Sequence, residues 1–234
     1  MNRTKIEWTD YTWNPVTGCL NNCSYCYARK IAERFRGSKA WPRGFEPTFR
    51  TGRLLEPFLI TEPSKIFVCS MGELFGDWCY NNYGYSWASY VIGRCRYSPQ
   101  HIFQFLTKCP QNLAKWNPWP ENAWVGVTAT DFEMSFEALY QLTKVEAKVK
   151  YLSIEPLLNL VFHPCPVEPI NLKKYIDWII IGAQTGAGAI RPHDEWVQGI
   201  IDAADRGGVP VFLKDNLRWP EQRRDWPKKA ECQT

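Results

Sequence analysis

The sequence predicts an α/β protein whose parallel strands alternate with helices in a full or partial (β/α) barrel. Three observations carry that expectation. Short apolar, β-branched runs recur along the chain, amphipathic segments lie between them, and each run ends in polar or glycine-containing residues. Continuous apolar runs of this length suit strands buried on both faces, as in parallel sheets. Strand–helix alternation implies right-handed crossovers, and roughly seven such strands favour a TIM-type barrel over an open sheet.

The elements follow in chain order. A first strand is expected over residues 12–17, and further apolar runs occupy 66–69, 102–106, 124–127, 151–154, 178–181 and 209–213. Residues 25–35 form a first helix, with Ile31 and Phe35 four apart. Residues 132–144 form a second, with Phe136, Leu139 and Leu142 on one stripe and Asp131 as N-cap. Residues 194–206 form a third, in which Val197, Ile200, Ile201 and Ala204 share a face and Gly207-Gly208 ends the helix. Segments 36–63 and 157–174 are long for connections and read as lids or substrate loops.

Composition bounds the function. A chain of 234 residues with 45% hydrophobic and 22% charged residues suits one folded domain, here 1–216, followed by a charged tail over 217–234. That tail carries Arg218, Arg223, Arg224, Lys228 and Lys229 with Trp219 and Trp226, and reads as solvated. The opening residues are charged and do not resemble a signal peptide, and no apolar run is long enough to span a membrane. A cytoplasmic protein without a membrane partner is expected. The net charge of +4 neither demonstrates nor dismisses a nucleic-acid partner, and the 12 Trp residues offer both core packing and stacking faces. Nine cysteines without a secretion signal argue against a disulfide framework. Cys69, Cys79, Cys95, Cys109, Cys165 and Cys232 are scattered and read as buried thiols.

The other three cysteines are clustered. Cys19, Cys23 and Cys26 are separated by three and then two residues, and three thiolates this close in one loop point to a metal centre. With no clear fourth ligand, a [4Fe-4S] cluster held this way keeps one iron open, able to chelate S-adenosyl-L-methionine. Zinc is the alternative, with a fourth ligand from His101, His163, His193 or another cysteine.

Ligands in parallel α/β folds sit at the carboxyl ends of strands, so the residues after each run are the next candidates. Met71, Gly72 and Glu73 follow the second strand, and a carboxylate beside open backbone suits an ammonium group. Lys108 or Lys214 can meet a carboxylate, and Thr128, Thr130 or Asp131 can hold ribose hydroxyls. Glu155, pinned before Pro156, can point at substrate or at one of those lysines, and Gln184, after the sixth strand, lies within a glycine-rich segment at 182–188 read as a flexible cofactor-side loop. For each residue alone, an ion pair or cap is an equal reading; their convergence on one barrel mouth is the stronger sign.

The Cys19-Cys23-Cys26 spacing resembles the signature of the radical S-adenosylmethionine superfamily. That resemblance implies a radical-SAM-type barrel and reductive cleavage of S-adenosylmethionine to a 5′-deoxyadenosyl radical that abstracts hydrogen from a substrate. It implies a reductant such as flavodoxin or ferredoxin. It also implies that Tyr25 lies near the adenine and that Met71-Gly72-Glu73 meets the methionyl ammonium, with Met71 standing where that family often has glycine. Several phrases together resemble a narrower family of phage and prophage radical-SAM-like proteins with no assigned reaction: Ile6-Glu7-Trp8-Thr9-Asp10, Thr12-Trp13-Asn14-Pro15, Glu73-Leu74-Phe75-Gly76, Leu106-Thr107-Lys108, Ser153-Ile154-Glu155-Pro156-Leu157 and Phe212-Leu213-Lys214. The chain departs from that pattern at Cys109, where a basic residue is expected, and at Ala183-Gln184-Thr185, where a Gly-Glu-Ser-like run is expected. A distant kinship with enzymes such as spore photoproduct lyase implies DNA, RNA or a nucleotide as substrate, with Glu155, Lys108 and Cys109 as catalytic candidates and Cys109 as a hydrogen-atom donor. The competing function is a non-catalytic zinc- or cluster-containing nucleic-acid-binding protein.

Overall fold

The computed structural model describes residues 1–162, 170–186 and 188–228. The chain divides into two compact units, one of Met1–Asn112 with Pro120–Ala123, the other of Leu113–Trp119 with the chain from Trp124 onward.

In the first unit, strands β1 (Asn2–Arg3), β2 (Tyr11–Trp13), β5 (Lys65–Val68) and β6 (Ile102–Thr107) lie side by side in that order. β2, β5 and β6 are parallel, and β1 is antiparallel to β2. The expected strand at 12–17 is split. Pro15 has no N–H to give to a ladder, so β2 stops at Trp13, and β3 (Val16–Thr17) leaves to pair antiparallel with β4 (Thr48–Phe49). Trp13 and Phe103 are fully buried, with ring centroids 5.8 Å apart.

Two helices belong to this unit. Helix α1 (Tyr27–Arg34) starts later than the sequence suggests because Cys26 serves as its N-cap. Helix α2 (Trp87–Arg96) has no counterpart in the sequence reading. Ser86 caps it, and its buried face is Ala88, Val91, Ile92 and Cys95. Those four stand at i, i+3, i+4 and i+7, an apolar stripe that the sequence carries interleaved with Tyr90, Arg94 and Arg96.

The second unit holds β7 (Ala123–Thr128), β8 (Val149–Ile154), β9 (Trp178–Ile181) and β10 (Val211–Leu213), parallel and adjacent in sequence order. Nearly every residue of these strands is buried, as continuous apolar runs require. Helix α3 (Phe132–Leu142) crosses from β7 to β8, and α4 (Asp194–Gly207) crosses from β9 to β10. In α3 the expected stripe is misplaced. Phe136 is 67% exposed, and Ser135, Ala138, Leu139 and Leu142 face inward. In α4 the expected stripe is the buried one, and Gly208 caps the end in the left-handed region at φ 62°.

The expected solvated tail is docked as far as residue 227. Leu213 N donates to Arg223 O (2.8 Å) and Asp225 N to Val211 O (3.1 Å), so 223–225 lies along the free edge of β10. Trp226 stacks on buried Trp178 at 5.0 Å, and the Trp178 indole N–H donates to Asp225 O. Lys229, Cys232, Cys165 and His163 lie outside the described residues. Among the described residues no helix is long and apolar enough to cross a membrane.

Candidate functional site

The cysteine loop begins at Gly18, whose φ of 85° falls where glycine is at ease. A Cβ there would stand 2.3 Å from Glu46 O. Gly18 N donates to Met71 O (2.9 Å), and Glu73 N donates back to Gly18 O (3.2 Å). At Gly72 a Cβ would sit 2.9 Å from Thr17 Cα. The two segments that the sequence marks separately are therefore stitched together by backbone, with glycine required at the closest approach. Asn14 completes the join, its Oδ1 accepting from Met71 N at 2.9 Å.

Each end of the loop is anchored. Cys19 N donates to Phe45 O (3.2 Å), and Cys19 Sγ accepts from Asn21 N (3.3 Å). Cys26 Sγ accepts from Arg29 N at 3.4 Å, the first turn of α1. Arg29 Nη2 donates to Cys19 O (3.1 Å), with its guanidinium 5.2 Å from the Phe45 ring centre. Arg29 Nε is buried without a hydrogen-bond partner. All three thiols are free and partly buried. Burial pushes the Cys19 thiol up to about 11, with Glu73, Cys23 and Cys26 adding to the rise against the Asn21 hydrogen bond.

Glu73 is buried beneath this loop, 5% exposed. Its Oε1 accepts from Thr107 Oγ1 (2.7 Å) and Phe75 N (3.0 Å), and its Oε2 from Lys108 N (3.0 Å). The carboxylate expected to meet an ammonium group is thus turned inward, bracing the ends of β5 and β6. The Lys108 ammonium lies 5.7 Å from the Tyr25 ring centre. Cys109 Sγ points at Asn21 Oδ1 across 3.7 Å, and burial first, then Glu73, pushes this thiol up to about 12. The first unit therefore gathers Cys19, Cys23, Cys26, Tyr25, Met71, Gly72, Glu73, Lys108 and Cys109.

The second unit holds the remaining candidates. Glu155 and Lys214, at the carboxyl ends of β8 and β10, form an ion pair through Oε1 and Nζ. Gly182 makes room for it, since a Cβ there would stand 2.9 Å from the Glu155 carboxyl carbon. Asp131 caps α3, accepting from Met134 N at 2.9 Å, and Thr130 Oγ1 donates to its other oxygen at 3.2 Å. Those side chains are occupied by the protein itself, which favours the cap reading over a ribose contact. Thr128 is buried at the end of β7. Gln184 Oε1 accepts from Ile190 N at 3.4 Å within its own loop.

Comparison with known proteins gives one match: a family model described as a protein of unknown function, DUF5131, aligns with residues 3–233. The chain belongs to the DUF5131 family. No curated protein and no solved structure matches it.

The donor set of this DUF5131 chain fits an iron–sulfur cluster: three free thiols on one loop, backbone N–H groups on two of them, and a buried guanidinium N–H left unpaired beside Cys19. As the side chains stand, no three His, Cys, Asp or Glu among the described residues form a metal-holding group. Of the histidines named for zinc, His101 and His193 are among the described residues. His101 is wholly buried, with Nε2 shared between Pro57 O (3.2 Å) and Ile60 O (3.0 Å), and His193 precedes α4 with its ring 4.4 Å from Trp196. Sequence reasoning missed Arg29, Asn21 and Asn216, the last of which brackets Ala183 by accepting from its N–H and donating to its carbonyl. Arg29 was detectable, because it lies three residues after Cys26, in reach of the loop from the first turn of a helix.

Proposed function

We propose that this DUF5131 protein is a radical S-adenosylmethionine enzyme, its parallel strands part of a full or partial (β/α) barrel of radical-SAM type. The observation that carries the reading is the reciprocal backbone pairing of Gly18 with Met71 and Glu73, which sets the cysteine loop against the end of β5. Cys19, Cys23 and Cys26 would hold a [4Fe-4S] cluster. When bound and reduced, that group supplies the electron that cleaves S-adenosylmethionine to a 5′-deoxyadenosyl radical, which takes hydrogen from substrate.

The chain's own residues prepare the site. Arg29 places a cation under the loop, favouring the net negative charge of a thiolate-bound cluster. Glu73 fixes the ends of β5 and β6 so that the loop rests on rigid strands. The Tyr25 ring, held beside Lys108, offers a flat face for adenine. Cys109 keeps its hydrogen on Sγ at neutral pH because burial disfavours the thiolate, and a neutral S–H is what a hydrogen-atom donor must be. The Glu155–Lys214 ion pair sets a carboxylate and an ammonium side by side at the carboxyl ends of β8 and β10. A reductant such as flavodoxin or ferredoxin, a nucleic acid or nucleotide as substrate and a cytoplasmic setting complete the reading.

The test is anaerobic reconstitution with iron and sulfide, reduction by dithionite, addition of S-adenosylmethionine and assay of 5′-deoxyadenosine. Product is expected from the native chain and none from Cys23→Ala. If no cluster assembles and one zinc ion binds tightly instead, the protein is a metal-shaped binding module and not this enzyme.

A further inference from the structure

Residues 78–120 contain no aspartate or glutamate, yet carry Arg94, Arg96, Lys108 and Lys115. The first part of this stretch faces outward from the first unit. Asn81 Oδ1 accepts from Tyr83 N (3.0 Å) and Tyr85 N (2.9 Å), folding 80–86 into a tight loop that turns at Gly84, φ 78°. Tyr83 is 86% exposed and Tyr85 62%. The loop runs directly into α2, where Tyr90, Arg94 and Tyr97 fall on one side at helical spacing. Tyr97 is 72% exposed and Tyr90 40%. Beneath them the surface is rigid: Phe49 stacks on Trp87 at 5.6 Å and 10° and meets Tyr90 at 5.7 Å.

Neither Arg94 nor Arg96 has an ion-pair partner among the described residues. Positive character continues in the same unit at Arg50, which donates to Thr17 Oγ1 and Ala40 O and meets no carboxylate among the described residues. Burial, then Arg53 and Arg43, holds its guanidinium below the usual value. Uncharged aromatic faces beside unneutralised guanidiniums match a ligand that alternates planar bases with negative phosphates. Four exposed tyrosines spread over a loop and the helix that follows it also suit a flexible strand better than a rigid duplex, whose bases are already stacked.

We infer that the 80–86 loop and the outward face of α2 form a stacking platform for single-stranded nucleic acid, through Tyr83, Tyr85, Tyr90 and Tyr97 with Arg94 and Arg96 on the phosphates. This rests on the nucleic-acid part of the proposed function and supplies its substrate class, but its test needs neither cluster nor S-adenosylmethionine.

The measurement is fluorescence anisotropy of labelled oligo-dT and oligo-U, about 15 nucleotides long to span one binding site, titrated with the full chain. A duplex of the same length serves as competitor. Saturable single-strand binding is expected, with the duplex competing poorly. Tyr90→Ala with Tyr97→Ala is expected to weaken binding about tenfold or more, and Arg94→Ala with Arg96→Ala to flatten the log–log salt slope by about 1.4. All four positions are surface ones, and unchanged circular dichroism verifies folding. Absence of saturable binding, or binding indifferent to the tyrosine pair, overturns the inference. So does self-association of the chain that the same tyrosine substitutions abolish while no oligonucleotide binds, because the surface then serves a second copy. The two readings fail separately: binding without 5′-deoxyadenosine leaves this surface standing, and 5′-deoxyadenosine without binding leaves only the enzyme.

Discussion

Glu33 shows how far from the cysteines the loop's support extends. Its carboxylate grips Arg36 and accepts from Phe45 N at 3.0 Å, while Phe45 O holds Cys19 N. The Arg36 hydrogen bond, then that of Phe45, holds the Glu33 carboxyl below its ordinary value. A depressed carboxyl contributes stability above its unfolded pKa and loses it as pH falls through the folded one. Thermal melts of Glu33→Gln against the native chain should therefore differ at pH 7 and converge below pH 4.5. A gap that persists in acid would mean the charge is irrelevant. At this scale the sequence announces what spacing declares, as in the three cysteines, which the structure keeps free and partly buried on one loop. The sequence singles out Glu73 but not the direction it faces, because a carboxylate after a strand looks the same whether it meets a ligand or the strand beside it.

Among the elements, α3 separates pattern from packing. Phe136, Leu139 and Leu142 read as one stripe, but the helix is rotated so that Ala138 and Ser135 face inward with the leucines. Small residues let the helix lie close, and Ser135 Oγ donates to Val161 O at 2.7 Å, which fixes the rotation. Leu139→Ala should cost about 2–4 kcal/mol in urea unfolding, whereas Phe136→Ser should fall within about 0.5 kcal/mol of the native chain. Equal costs would place both on the buried face. Strands were the readable elements, because burial on both faces leaves an uninterrupted apolar run. The two-residue strands β1, β3 and β4 carry no such signal, and β3 exists apart from β2 only because Pro15 interrupts the ladder.

For the whole molecule, the succession of parallel strands was legible, while the helix α2 between β5 and β6 and the completion of each unit were not. The second unit's core closes around Trp178, which meets Trp124, Phe212 and Trp226 at 5.8, 6.0 and 5.0 Å. Charge made 217–234 look like a solvated tail, since three arginines and two lysines fall within it. Yet Arg223 pairs with Asp205 and Asp225, and Arg224 with Asp215, so the charges are what allow Trp226 to dock. Trp226→Ala should lower stability by about 2–3 kcal/mol, less than the cost for a fully buried indole, and redden the tryptophan emission as water reaches Trp178. Unaltered emission and melting temperature would show the docked segment to be dispensable.

That segment also dictates an order of events during synthesis. Residues 223–225 cover the edge of β10 and follow every strand they protect, so the ribosome delivers the sheet before its cover. Until they emerge, the nascent chain presents an open β-edge flanked by Phe212 and Trp178, the kind of surface that recruits neighbouring chains. Substitutions that loosen the 223–225 cover should therefore lower the share of protein that accumulates in usable form.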